Sequence, residues 1–111
     1  MRWIVFYYLE RAETEVSSAA PVVLSTESVT DQLVPGLEGA DDFIGLIDGW
    51  ENLLQVMLDA DSGGYWVELP DHERRISYRR RMSRAEVVAF LRRLPARLEP
   101  AAFPDFEEHR W

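Results

Sequence analysis

Residues 42–48, 53–59, 65–69 and 75–82 are four strand-like runs with very little chain between them. Asp48-Gly49-Trp50-Glu51-Asn52 separates the first pair, Ala60-Asp61-Ser62-Gly63-Gly64 the second and Pro70-Asp71-His72-Glu73 the third. A parallel pair needs a crossover of about a dozen residues or more, so connections this short demand antiparallel hairpins and a meander. Within the runs the apolar positions alternate. Ile44 and Leu46, then Leu54, Val56 and Leu58, then Val67 and Leu69, then Ile76, Tyr78 and Met82 fall on one face, which is the expected core face.

The remaining elements are arranged around this meander. Residues 3–9, Trp-Ile-Val-Phe-Tyr-Tyr-Leu, are aromatic and β-branched without polar alternation, which predicts a strand covered on both faces. Residues 10–20 read as a loop. Residues 21–25 read as a short edge strand opened by Pro21. Residues 26–34 predict a short helix stopped by Pro35-Gly36. After the meander, Ser83 with Glu86 three residues on forms a capping box. Val87, Val88, Leu91 and Leu94 then repeat at helical spacing until Pro95, predicting a helix over 83–94. The tail holds Phe103, Phe106 and Trp111 and is too aromatic to stay in water, so it packs back on the domain. No repeat or linker interrupts residues 1–111, which read as a single domain. The expected fold is α+β: an antiparallel sheet of about five or six strands with the 83–94 helix on one face.

Charge is unevenly placed along the chain. Residues 1–73 hold two arginines against fifteen acids, and residues 74–111 hold ten against five, so a segment of −13 precedes one of +5 in a protein of net −8. Every basic residue is arginine. The densest stretch, Arg74-Arg-Ile-Ser-Tyr-Arg-Arg-Arg-Met-Ser-Arg-Ala-Glu86, has the look of a phosphate handle. Strand geometry divides it. Arg75, Ser77, Arg79 and Arg81 share one face, and Trp66 and Glu68 on the neighbouring strand share that face with them. Cross-strand pairing of arginine with acid follows, at about 0.2–1 kcal/mol per pair. The net negative field repels phosphate and attracts basic proteins, so nucleic acid is a poor partner for the whole molecule. Arg80 points to the apolar side, and the strand pattern gives no reason for it.

Several chemistries are excluded or disfavoured. There is no cysteine, hence no disulfide, zinc–thiolate site or thiol nucleophile. No Gly-x-Ser-x-Gly elbow or phosphate-binding glycine loop occurs. Asp59-Ala-Asp61-Ser-Gly63-Gly64 imitates the start of a calcium loop, but position 5 is glycine and position 12 is Pro70. Asp71-His72-Glu73 are consecutive and cannot converge on one metal, and the other histidine, His109, reads as part of a surface helix turn. The expectation is a non-enzyme with no cofactor and no metal. The N-terminal apolar run lacks a signal-peptide pattern and is too short to span a bilayer, which implies a cytoplasmic protein without a membrane role.

The segment from Asp41 through Tyr78 carries a strand with Leu-Gln-Val, a Gly-Gly turn and a strand with a Val-Glu pair. With the Met82–Pro95 helix and the terminal Trp111, it resembles the small immunity proteins of bacterial polymorphic-toxin and contact-dependent systems, over residues 41–111. The resemblance implies a protein that binds a cognate toxin domain and blocks its active surface. The charge pattern separately suits a basic partner. Asp41, Asp42, Asp48, Trp50, Glu51, Asp59 and Asp61, on loops at strand ends, are the candidate partner-binding residues. Trp66, Glu68, Arg75, Arg79 and Arg81 form a secondary candidate face. The rival readings are an adaptor or homodimer joined through Trp66 and an edge strand, and a nucleic-acid or small-ligand binder using the arginines.

Overall fold

The structure is a computed structural model and describes residues 1–111. Its strands are β1 (Arg2–Leu9), β2 (Thr14–Val16), β3 (Val22–Ser25), β4 (Phe43–Ile47), β5 (Leu53–Leu58), β6 (Tyr65–Asp71), β7 (Ile76–Met82) and β8 (Glu107–Arg110). They form one antiparallel sheet in the order β2-β1-β4-β5-β6-β7-β8, with β3 also paired to β1. The meander β4–β7 is the part the short connections dictate. β2 pairs with residues 7–9 of β1 and β3 with residues 2–5. These two strands are therefore the halves of one interrupted edge, bulged between Ser17 and Pro21.

β3 and β4 lie on opposite sides of β1 and are both antiparallel to it, so they are parallel to each other and need a crossover. Residues 26–36 supply it as a continuous helical run: α1 (Thr26–Ser28), a π-helical turn over Val29–Leu33 and a 3-10 turn over Val34–Gly36. The Ser25 hydroxyl opens it by accepting from the Ser28 N–H at 3.1 Å. The second helix, α2 (Arg84–Arg92), has the expected capping box: Ser83 Oγ accepts from the Glu86 N–H, and Glu86 Oε1 accepts from the Ser83 N–H. It ends shortly before Pro95, within the fraying expected of a helix end.

The core cluster occupies one face of the sheet. Its strand members are Trp3, Val5 and Leu9, Ile44 and Leu46, Leu54 and Val56, Tyr65, Val67 and Leu69, and Met82. Val29, Leu33 and Val34 from the crossover and Val87 and Leu91 from α2 cover them. No helix of this fold is long and apolar enough to cross a membrane. Phe90 on α2 then stacks with Phe103 and Phe106 at 5.4 and 5.6 Å between ring centroids, which fastens that part of the tail as its aromatic content predicts, whereas Trp111 stays 50% exposed beside His72.

The opposite face carries no helix. Ile4, Phe6 and Tyr8 lie beside Phe43, Gly45 and Ile47, then Leu53, Gln55 and Met57, then Trp66, Glu68 and Pro70, then Ser77, Arg79 and Arg81. Most are half-buried; Phe6 is buried because its ring folds over Gly45, where any Cβ would collide with it.

Four sequence expectations need correction. β1 is covered on one face only, and Ile4 stays 39% exposed. The sheet is wider than five or six strands because β2 and β8 join its edges. β8, Glu-Glu-His-Arg, is wholly exposed, and its ladder to β7 rests on backbone hydrogen bonds that leave no apolar alternation to read. Such charged edges also discourage edge-to-edge association. His109 consequently lies on a strand and not in a helix turn. Finally, Arg75 stands outside β7 in a left-handed turn conformation, φ +55°, so it does not continue the arginine face.

Candidate partner-binding surface

Three of the seven loop candidates are occupied internally. Asp48 is 4% exposed. Its Oδ1 accepts from the N–H groups of Trp50 (2.9 Å) and Asn52 (2.8 Å). Its Oδ2 accepts from Asn52 Nδ2 (2.9 Å) and from the Leu98 N–H (2.6 Å), fifty residues away. Burial alone would push this carboxyl up, but those four donors outweigh it and hold the group below its ordinary value. Asp42 is similar: burial opposes ionisation, and the N–H groups of Glu10, Gly39 and Glu38 more than compensate. Asp59 accepts from the Ser62 hydroxyl, the Asp61 N–H and Arg81, and its carboxyl is also held low, by the Ser62 hydrogen bond first. Each aspartate ties a turn at a strand end. None of the three has a carboxylate free to meet a partner, which corrects the expectation for Asp42, Asp48 and Asp59.

Asp41, Trp50, Glu51 and Asp61 are exposed. They divide between two ends of the sheet. Asp41 precedes β4 and Asp61 follows β5, at one end; Trp50 and Glu51 sit in the β4–β5 turn at the other. The five residues of β4 put about 15 Å between those ends. Trp50 projects with 55% of its surface exposed and Arg97 beside its ring, 5.5 Å from the centroid. The Asp41 end is strongly negative. Partial desolvation, then the charges of Glu10, Asp42, Asp41 and Glu15, push the Tyr8 hydroxyl above its ordinary value.

The strand part of the arginine cluster, Arg79 to Arg81, is engaged within the molecule, whereas Arg74, Arg75 and Arg84 are in no ion pair. Arg79 lies opposite Glu68 across the β6–β7 ladder, 3.9 Å away, with its guanidinium 4.3 Å from the Trp66 ring centroid. Arg81 reaches Asp59 at 3.4 Å. Arg80, on the core face opposite Val67, runs its stem past that face and meets Glu86 at 3.6 Å at the start of α2. Beyond the cluster, Arg92, Arg97 and Arg110 also have acidic partners, at 3.3–3.7 Å. In contrast, Glu13, Glu15, Asp41, Glu51, Asp61, Asp71 and Glu73 are in no ion pair, so the uncompensated charge is on the acidic side.

At the Trp50 end, the helix-free face deepens into an open cleft of roughly 1210 Å³. Ile4, Phe6, Ile47 and Leu53 line it together with Glu51, Asp71, His72 and Glu73. The bulge between β2 and β3 contributes Ser18 and Pro21 as a wall. Sequence reading missed this cleft. Its floor comes from alternate positions of β1, β4 and β5 that look like second-face core residues until the helices are seen to cover only one side.

No family model, curated protein or solved structure matches the chain.

Proposed function

We propose that this is a cytoplasmic, non-enzymatic binding protein of the immunity type, which neutralises a basic toxin domain by covering its active surface. The carrying observation is the contrast between the two charge signs. The strand arginines Arg79, Arg80 and Arg81 are paired at home, although Arg74, Arg75 and Arg84 are in no ion pair, while unpaired acids stand at both ends of a helix-free sheet face. A toxin domain that acts on nucleic acid carries a basic cleft for phosphate, and an acidic face is steered to it and occupies it. Nucleic acid as the partner is opposed by the same facts, because Arg79 and Arg81 already have acids and the whole molecule is −8.

The reading predicts a toxin-like domain encoded beside this gene, and the direct test is co-expression with that domain. The expected outcome is growth protection that is lost when Asp41, Glu51 and Asp61 are together changed to Lys. Unchanged protection in that triple variant removes the acidic face from the mechanism. These three positions are chosen because reversal at Asp48 or Asp59 would break a turn and leave loss of fold indistinguishable from loss of binding.

One observation keeps self-association as a second reading. The outer edge of β3 presents Val22 at 37% and Val23 at 60% exposure, with no strand beyond it. Trp66, in contrast, lies on β6 inside the sheet and cannot join an edge contact. Sedimentation equilibrium showing a dimer that Val23→Lys dissociates would establish pairing through β3; a monomer at every concentration would remove it.

A further inference from the structure

We infer that the cleft at the Trp50 end receives an extended segment of the partner protein in which arginine or lysine alternates with an apolar residue. This deepens the binding reading above and rests on it for the partner being basic. Two properties of the cleft select that chemistry. Its floor is apolar, from Ile4, Ile47 and Leu53, and its rim is acidic, from Glu51, Asp71 and Glu73. No arginine lines it, although the chain contains twelve. None of the three rim acids is in an ion pair. Asp71 Oδ1 accepts only from the Arg74 N–H, and its second oxygen has no protein partner. A cation entering here therefore meets carboxylates that are not already neutralised, beside aliphatic surface suited to its methylene stem.

The dimensions favour chain over small molecule. Small-ligand pockets run to about 300–1,000 Å³ and enclose their ligand, whereas this cleft is larger and open along one side. An extended segment places successive side chains on alternate sides. An apolar residue can then meet Ile4 or Leu53 while its neighbours reach the rim.

The test uses the full-length, isotopically labelled protein and two blocked peptides, Arg-Leu-Arg-Leu-Arg and Glu-Leu-Glu-Leu-Glu, followed by amide chemical shifts, with free arginine as a third arm. The basic peptide is expected to shift Ile4, Ile47, Leu53, Glu51 and Glu73 and to bind several-fold more weakly when salt rises from about 20 to about 300 mM. The acidic peptide is expected to do nothing. Changing Glu51→Gln, Asp71→Asn and Glu73→Gln together keeps the oxygen that caps the Arg74 turn and is expected to weaken the basic peptide at least about tenfold. The inference is overturned by shifts centred on Tyr8 and Asp41, by equal binding of both peptides, by free arginine matching the peptide, by no shift at millimolar peptide, or by unchanged affinity in the triple variant. Should that variant unfold, the salt dependence and shift map of the unaltered protein decide alone. The broader reading fails separately. Peptide binding without growth protection leaves the cleft and removes the toxin, whereas full protection by the triple variant leaves immunity and removes the cleft.

Discussion

Single aspartates hold this fold's turns, and Asp48 shows how a residue of that kind deceives a reader of sequence. An acid beside Gly49 and Trp50 in a hairpin turn reads as a displayed charge. In the structure its carboxylate gathers four N–H donors from the turn itself and from the chain after α2. The local half of that role was legible, since aspartate before a glycine-containing turn commonly accepts from the backbone two residues on. The bond from Leu98 was not, because nothing local in sequence pairs residue 48 with residue 98. Replacing Asp48→Ala strands these donors, several of them shielded from water. Stability is expected to fall by about 3 kcal/mol, read as a lower urea midpoint with an unchanged slope. A loss below about 0.5 kcal/mol would mean that water replaces the carboxylate freely.

Elements were legible in proportion to how much apolar surface they bury. The meander and α2 announce themselves through period-2 and helical spacing, and both stand where the spacing puts them. β2 and β8 are short, polar edge strands formed by backbone pairing, so no pattern marked them. β1 carried a pattern that was read too simply: an unbroken apolar run implied two covered faces, yet one is open. Phe6 explains part of the discrepancy. Its ring is buried not by a helix but by lying across Gly45 of β4, the strand paired beside it. Glycine inside a strand often marks such a close approach. Gly45→Ala is expected to destabilise the fold by about 1–3 kcal/mol, because the new methyl must displace an aromatic ring. The effect should be smaller in a Phe6→Leu background. Equal losses in both backgrounds, measured by denaturant titration, would show that the ring and the glycine are uncoupled.

At the scale of the whole molecule, the charge asymmetry of the sequence becomes a division of labour. Arginines of β7 and α2 tie those elements to acids on their neighbours, the tail's Arg97 and Arg110 pair with acids two residues away, and the acids left over give the surface its sign. That surface charge and the stability of the fold respond to acid over different ranges. Asp42 and Asp48 have folded pKa values below the ordinary 3.8. A group lowered on folding contributes stability above its unfolded value and loses it as pH falls through the folded one, so these turns stay intact until the pH drops below about 3.8. Net charge vanishes earlier, near the isoelectric point of 4.7. An arginine- and lysine-rich partner keeps its own charge throughout this range. Between pH 7 and 4.7 the attraction to it should therefore fade while the fold persists. Circular dichroism is expected to stay native down to pH 4.7, while the rate of association with a basic partner drops towards its high-salt value. Association that stays fast at the isoelectric point with the fold intact would show that steering follows the local acidic face and not the net charge. Loss of the native spectrum above that pH would show that groups other than the turn aspartates set the acid limit of this fold.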